Sequence, residues 1–194
     1  LSEVSNENQE EIATILEQTE KLDFLIQSLV KLSRMESGII AVHSEDTTIK
    51  QMLESIQQQF NAKVREKNIT LSLCDTDLHV RCDSKWTVEA LGNIVDNAIK
   101  YTACGGNVQI KVEQYSFFVK IDIIDDGIGI EKEEIPKIFG RFYRSLSVAD
   151  QPGVGIGLFL AREIIQAQKG YIKVTSKRGK GSTFSVFLPI AKME

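Results

Sequence analysis

The sequence predicts an α+β sandwich, with helices on one face of a mixed, mostly antiparallel sheet, preceded by a long N-terminal helix. Three observations lead there. Apolar residues recur at alternating spacings of three and four near the N-terminus, and no proline or interior glycine falls between Asn8 and Gly38. From about residue 44 the pattern switches repeatedly between the helical period and the strand period of two. The resulting order (helix, strands, helix, hairpin, helix, hairpin) fits helices layered on a sheet, without the regular alternation of a parallel βαβ fold.

Taken in chain order, the first helix carries a seam of Ile12, Ile15, Thr19, Leu22, Ile26, Leu29 and Ser33, the spacing of a coiled coil or bundle. Leu16, Leu25, Val30 and Leu32 widen the stripe, and Gly38 stops the helix. A lone helix of this kind is weakly stable in water, so the stripe calls for a partner helix or a second copy of the chain. The plainer alternative is packing on its own domain. A second amphipathic helix runs from Ile49 to Lys67, followed by strand-like ITLSLC (69–74) and LHVRC (78–82). Asp83 or Ser84 caps the next helix, which contains NIVDNAIKYT (93–102). NVQIKVEQ (107–114) and FFVKIDII (117–124) read as a hairpin. A loop rich in glycine and charge extends from Asp125 to about Gly153, then a helix spans about Val154 to Gln168 and ends at Gly170. The last strands, YIKVTS (171–176) and STFSVFLP (182–189), are joined by KRGKG.

With 194 residues, 42% hydrophobic and 26% charged, the chain has the balance of a soluble globular domain plus an appendage. A net charge of −4 argues against a nucleic-acid binder, which needs a basic stripe. Cys74, Cys82 and Cys104 follow no ligand or disulfide spacing and point to reduced thiols in a cytoplasmic setting. No run is long and apolar enough to span a membrane, and no secretory leader is visible. The chain opens without methionine and is expected to be a piece of a longer protein.

Five stretches carry candidate chemistry. Asn93, Asn97, Lys100 and Tyr101 share one helix face, opposite an apolar stripe of Val88, Leu91, Val95 and Ala98. Neutral amide oxygens suit a magnesium ion already held by phosphates, a lysine suits a phosphate, and a tyrosine can cover a flat ring. A solvated polar face is the alternative. In IDIIDDGIGI (121–130) a buried strand ends on Asp125, a carboxylate that needs a donor such as a purine amino group. Gly127 and Gly129 would let backbone approach that ring; a plain Asp-Gly turn is the alternative. In GVGIGLFLAREII (153–165), Gly153, Gly155 and Gly157 precede Leu158 and its helix, exposing backbone N–H groups to an anion. This is not a dinucleotide fingerprint, because no parallel βαβ unit surrounds it. KIFGRFYRS (137–145) sets Phe139, Phe142 and Tyr143 among Arg141 and Arg144, either a hydrophobic plug or a lid that brings an arginine to a phosphate. GKGSTF (179–184) places Gly181 and Thr183 at a strand start, where a turn is an equal reading.

Together, and in this order, these segments resemble the catalytic ATP-binding domain of sensor histidine kinases of two-component systems, within the GHKL ATPase superfamily and its Bergerat-type fold. NIVDNAIKYT looks like the N box, DDGIG the first glycine box, FGRFYR the F box, GVGIGL the second glycine box, and GSTF the last short motif. The resemblance implies that ATP and Mg²⁺ bind, with Asn97 holding the ion and Asn93 assisting. It implies that Lys100 meets phosphate, Tyr101 packs on the nucleotide, and Asp125 takes the adenine amino group, with Gly127 and Gly129 shaping that wall. Arg144, and with it Arg141, would approach the γ-phosphate. Gly153, Gly155, Gly157 and Leu158 would form the hinge and phosphate loop, and Thr183 would line the purine pocket. Hydrolysing relatives carry glutamate where this chain has Asn93; an amide cannot act as a general base for water, so the site looks built to hold ATP for a protein nucleophile.

Residues 1–43 resemble the second helix of the family's dimerisation hairpin, and 44–194 the catalytic domain. The hairpin's first helix and its phosphoacceptor histidine are not in this sequence: His43 follows the helix and His79 lies in a strand. Gly140 stands where the F box usually has a polar or acidic residue. The expectation is therefore a protein-histidine kinase domain that does not autophosphorylate alone. It would work as a homodimer through its N-terminal helix, with a response regulator as partner, as the cytoplasmic part of a membrane-anchored receptor. The alternative is a non-catalytic module, nucleotide-dependent or not, that controls a partner through the helix.

Overall fold

The computed structural model describes residues 42–148, 151 and 153–190, with residues 11, 12, 14–16, 18, 19, 22, 23, 25–27, 29, 30 and 33 of the N-terminal segment. Those N-terminal residues, all seven of the seam among them, are helical, with the exception that Leu32 and Gly38 lie outside the described residues. Ile12, Ile15, Leu16, Leu22, Ile26, Leu29 and Val30 are exposed.

Beyond residue 44 come β1 (Glu45–Thr48), α1 (Ile49–Glu66), β2 (Thr70–Leu73), β3 (His79–Cys82), α2 (Ser84–Tyr101), β4 (Asn107–Gln114) and β5 (Phe118–Asp125). A 3-10 turn (Leu146–Val148), α3 (Gly157–Ala167), β6 (Tyr171–Ser176) and β7 (Ser182–Pro189) complete the order. The main sheet runs β2-β4-β5-β7-β6. β2 and β4 are parallel, and the other pairs antiparallel, as the sequence pattern requires of a mixed sheet. Along β5, Val119, Ile121 and Ile123 are fully buried while Phe118, Lys120 and Asp122 face the open side. The buried face meets Leu91, Ile94, Val95 and Ala98 of α2 and Leu160, Ile164 and Ile165 of α3. Burying side chains of this size contributes roughly 1.5–3 kcal/mol each.

Two elements depart from expectation. β1 was not legible, being four polar residues whose strand character comes only from antiparallel pairing with β3, Glu45 opposite Cys82. The last helix begins at Gly157, not Val154, so Gly153 and Gly155 belong to the loop and Gly157 opens the helix. The helix caps follow local chemistry. The Asp83 side chain accepts from the N–H of Trp86 at 3.2 Å, which selects Asp83 over Ser84 as the cap of α2. α1 ends with Asn68 at φ 53 and α3 with Lys169 at φ 62. In both, the next residue donates back five positions: Ile69 N–H to Val64 O and Gly170 N–H to Ile165 O, each 2.9 Å. Gly170 thus closes the helix one residue after the left-handed position.

Candidate functional site

The sandwich leaves a pocket where α2, the end of β5, the loop after it, the first turn of α3 and the start of β7 converge. Among the predicted residues, Asn93, Asn97, Lys100, Tyr101, Asp125, Gly129, Arg144, Gly153, Gly155, Gly157 and Leu158 line it. Three predicted residues do not. Gly127 sits behind the wall and gives its N–H to Asp125. Arg141 lies outside, its guanidinium 4.7 Å from the Phe159 ring centroid. Thr183 faces away, because strand alternation sends Ser182 and Phe184 to the pocket and Thr183 to the open side of β7. Ser182 is the residue the sequence reading missed; counting two back from the apolar Phe184 finds it.

Asp125 forms the floor. It ends β5 opposite Val108 on one side and Ser182 on the other, and it is 7% exposed. Its Oδ1 accepts the N–H of Gly127 at 3.0 Å and of Ser182 at 3.2 Å. Both bonds fall on one oxygen, which leaves Oδ2 for a donor in the pocket. Burial raises the Asp125 pKa above the ordinary carboxylate range, and the two N–H bonds oppose that rise. Asp126 turns the other way and accepts from the backbone and side-chain N–H groups of Asn107. Gly129, at φ +66, brings the wall so close to the next hairpin that a Cβ would lie 2.1 Å from the Lys177 carbonyl oxygen.

The opposite end is cationic. Lys100 Nζ stands 4.9 Å from the Tyr101 ring centroid. Burial lowers the Lys100 pKa, and the like charge of Arg144 lowers it further. Arg144 donates to the carbonyls of Val148, at 2.9 Å, and Gln151. Two cations held together against their repulsion, beside the first turn of a helix, describe an anion site. The segment between the floor and α3 is made of turns and is anchored by aromatic contacts. Arg162 lies 5.6 Å from the Phe139 ring centroid and 5.5 Å from that of Phe159, and the Tyr143 hydroxyl donates to Glu134 at 3.2 Å. Phe142, at φ 59, is 55% exposed.

Asn93 also lines the pocket. Its Nδ2 donates to Glu89 O at 2.9 Å, and a Cβ on Gly157 would lie 2.9 Å from its Oδ1, so the glycine lets α3 sit against this amide without displacing it. Among the described residues no cluster of three His, Cys, Asp or Glu is placed to hold a metal by itself. The amide donors at the pocket wall therefore fit magnesium only together with phosphate oxygens. Neither histidine reaches the pocket: His79 Nδ1 pairs with Asp46 at 2.7 Å, and His43 is exposed, its backbone N–H on Asp83.

The model of the histidine kinase-, DNA gyrase B- and HSP90-like ATPase family matches residues 82–192, more than half of the chain and every wall of the pocket. The chain belongs to this family. Within it, the similarity is to sensor kinases. Sensor histidine kinase WalK of Bacillus subtilis is 34% identical over 177 residues, covering 89% of this chain and 29% of WalK. Histidine kinase AdeS of Acinetobacter baumannii superposes with a TM-score of 0.75 at 26% identity, over 93% of this chain and 84% of that one. The nucleotide-free catalytic domain of histidine kinase ThkA gives 0.67 at 26% identity, over 76% of this chain and 96% of that one. The sequence is thus an ATP-binding catalytic domain of the histidine-kinase type, as its motifs lead one to expect. It spans about a third of the length of the curated relatives it matches. No helix among the described residues is long and apolar enough to cross a membrane.

Proposed function

We propose that this domain binds Mg-ATP in the pocket and transfers the γ-phosphoryl group to a histidine outside this sequence, for relay to an aspartate on a response regulator. The observation that carries the proposal is the polarity of the pocket, with a buried carboxylate bearing one uncommitted oxygen at one end and Lys100 with Arg144 at the other. Asp125 Oδ2 accepts the adenine amino group, Tyr101 packs on the nucleotide, and Ser182 takes the place beside the purine expected of Thr183. Lys100 and the first turn of α3 at Gly157 and Leu158 meet the phosphates, and Gly153 and Gly155 give the loop its turn. Asn97, assisted by Asn93, holds a magnesium ion, whose charge offsets that of the phosphates when bound. Arg144 stabilises the transferring group; Arg141, stacked on Phe159, anchors the segment that carries it. With amides and no carboxylate at Asn93 and Asn97, positioning and charge stabilisation dominate over water activation.

In this reading residues 1–43 are the second helix of a dimerisation hairpin and 44–194 the catalytic domain, so the whole protein is a homodimer through that hairpin and membrane-anchored by other segments. ThkA has been solved in complex with the response regulator TrrA, which supports a partner of that class. A second reading, a regulatory module acting through the helix, is favoured by the exposed stripe from Ile12 to Val30. The two separate by phosphoryl transfer from labelled ATP to a supplied hairpin fragment that bears the histidine. The kinase reading expects transfer that Asn97→Ala abolishes; no transfer, or transfer indifferent to Asn97, moves the module reading ahead.

A further inference from the structure

The last turn of α2 carries Lys100 and Tyr101, and a helix end leaves its final four carbonyls without helical partners. Here all four are accounted for. Ala98 O accepts from Thr102 N–H at 3.1 Å, and Tyr101 O from Ile128 N–H at 3.3 Å. The remaining two, Ile99 O and Lys100 O, accept from a single side-chain ammonium, Lys67 Nζ, at 2.9 and 2.7 Å. The same nitrogen donates to Thr102 O at 2.9 Å, which uses all three of its donors on backbone oxygens. α1 and α3 end through a residue in the left-handed region; α2 does not, since Thr102 is extended at φ −80, ψ 139. A cation on the negative end of the helix replaces that device. Lys67 is itself the C-cap of α1, and its carbonyl accepts from Gly105 N–H at 3.1 Å, so the contact joins two helix ends and the loop after α2.

The geometry points to Lys67 as a positioning residue of the nucleotide site. It does not line the pocket and acts through the backbone on either side of Tyr101, holding the carbonyls of Lys100 and Thr102, while Tyr101 O holds the loop of Ile128 and Gly129. The inference rests on the nucleotide-binding reading of the pocket. Without the ammonium, two carbonyls of the turn and that of Thr102, a residue 2% exposed, lose their donor. The turn then loosens where both cationic and aromatic contacts originate.

Lys67→Met keeps the chain's length and removes the charge; Lys67→Arg restores donors. The Met variant is expected to bind Mg-ATP about tenfold more weakly by calorimetric titration, the factor that ~1.4 kcal/mol represents. The loss persists at high salt, because it does not arise from long-range charge. Amide exchange at Ile128 and Thr102 quickens, while exchange at Ile121 in β5 is unchanged, and the Arg variant recovers most of the affinity. Unchanged affinity with unchanged Ile128 protection would overturn the assignment. So would a loss that disappears at high salt, or one that lowers protection evenly along the chain. If the unaltered protein itself binds no Mg-ATP, the nucleotide reading fails, and exchange at Ile128 still decides what Lys67 holds.

Discussion

At its floor the pocket is walled by ladder-paired strands, whereas the arginine of its cationic end is carried by a segment of turns. Asp125 is fixed by β4 on one side and β7 on the other, and its bonds to Gly127 and Ser182 are made before any ligand arrives. Arg144 instead hangs on carbonyls of its own segment, Val148 and Gln151, and in the proposed function would exchange them for a phosphate. The neighbouring Phe142 sits in a left-handed conformation that disfavours bulky side chains. In the proposed function the difference divides the work: the rigid floor would supply recognition, and the turn-carried arginine would supply a group that acts only during transfer.

The comparison can be broken most sharply at Arg144. If that guanidinium acts in the transition state, Arg144→Ala lowers the transfer rate by about 10²-fold or more, with little change in Mg-ATP affinity. Single-turnover rates beside a titration would check it, and an affinity loss with the rate intact would assign Arg144 to recognition instead. Next in size is Gly129→Ala, which strains a positive φ and pushes a methyl toward the Lys177 carbonyl. Denaturant unfolding should lose about 1–3 kcal/mol, with binding impaired in the same variant.

A smaller effect follows from Asp125. Its pKa stands above the ordinary 3.8, so on acidification the acceptor protonates while exposed aspartates remain ionised. Mg-ATP affinity should therefore fall as pH drops through that raised value, measured as the difference from Asp125→Asn. For the empty chain the sign is reversed. A raised carboxyl pKa contributes stability below the unfolded value and loses it as pH rises through the folded one, so Asp125→Asn should leave the empty domain at least as stable near neutrality. The smallest effect is at Phe142: replacement by glycine relieves the left-handed strain, and thermal unfolding should show a gain of at most about 1 kcal/mol.

The strands from Asn107 onward and the core face of β5 were legible because period-two alternation and turn residues coincide there, as in NVQIKVEQ and STFSVFLP. β1 was not, since EDTT has no apolar alternation and becomes a strand only against β3, more than thirty residues away. The sheet order, with β7 inserted between β5 and β6, is likewise a non-local choice that hairpin patterns do not encode. In the site, eleven of the motif positions line one pocket, and the departures are of facing. Thr183 and Ser182 differ by one residue and therefore by a whole face of the sheet. Arg141 reads like a phosphate ligand in sequence but is drawn to the Phe159 ring. Lys67 looked like an ordinary basic residue at a helix end, and only the fold brings it to carbonyls thirty-two to thirty-five positions on.

The central claim is that the uncommitted oxygen of Asp125 recognises the nucleotide. Calorimetric titration of Mg-ATP into the unaltered domain and into Asp125→Asn tests it most directly, because the amide keeps an oxygen for Gly127 and Ser182 and turns an NH2 toward the adenine amino group. The account predicts saturable binding that the substitution weakens tenfold or more, consistent with roughly 1.5–3 kcal/mol for a hydrogen bond to a charged group. Equal affinity in a variant that folds as well as the unaltered chain would contradict it.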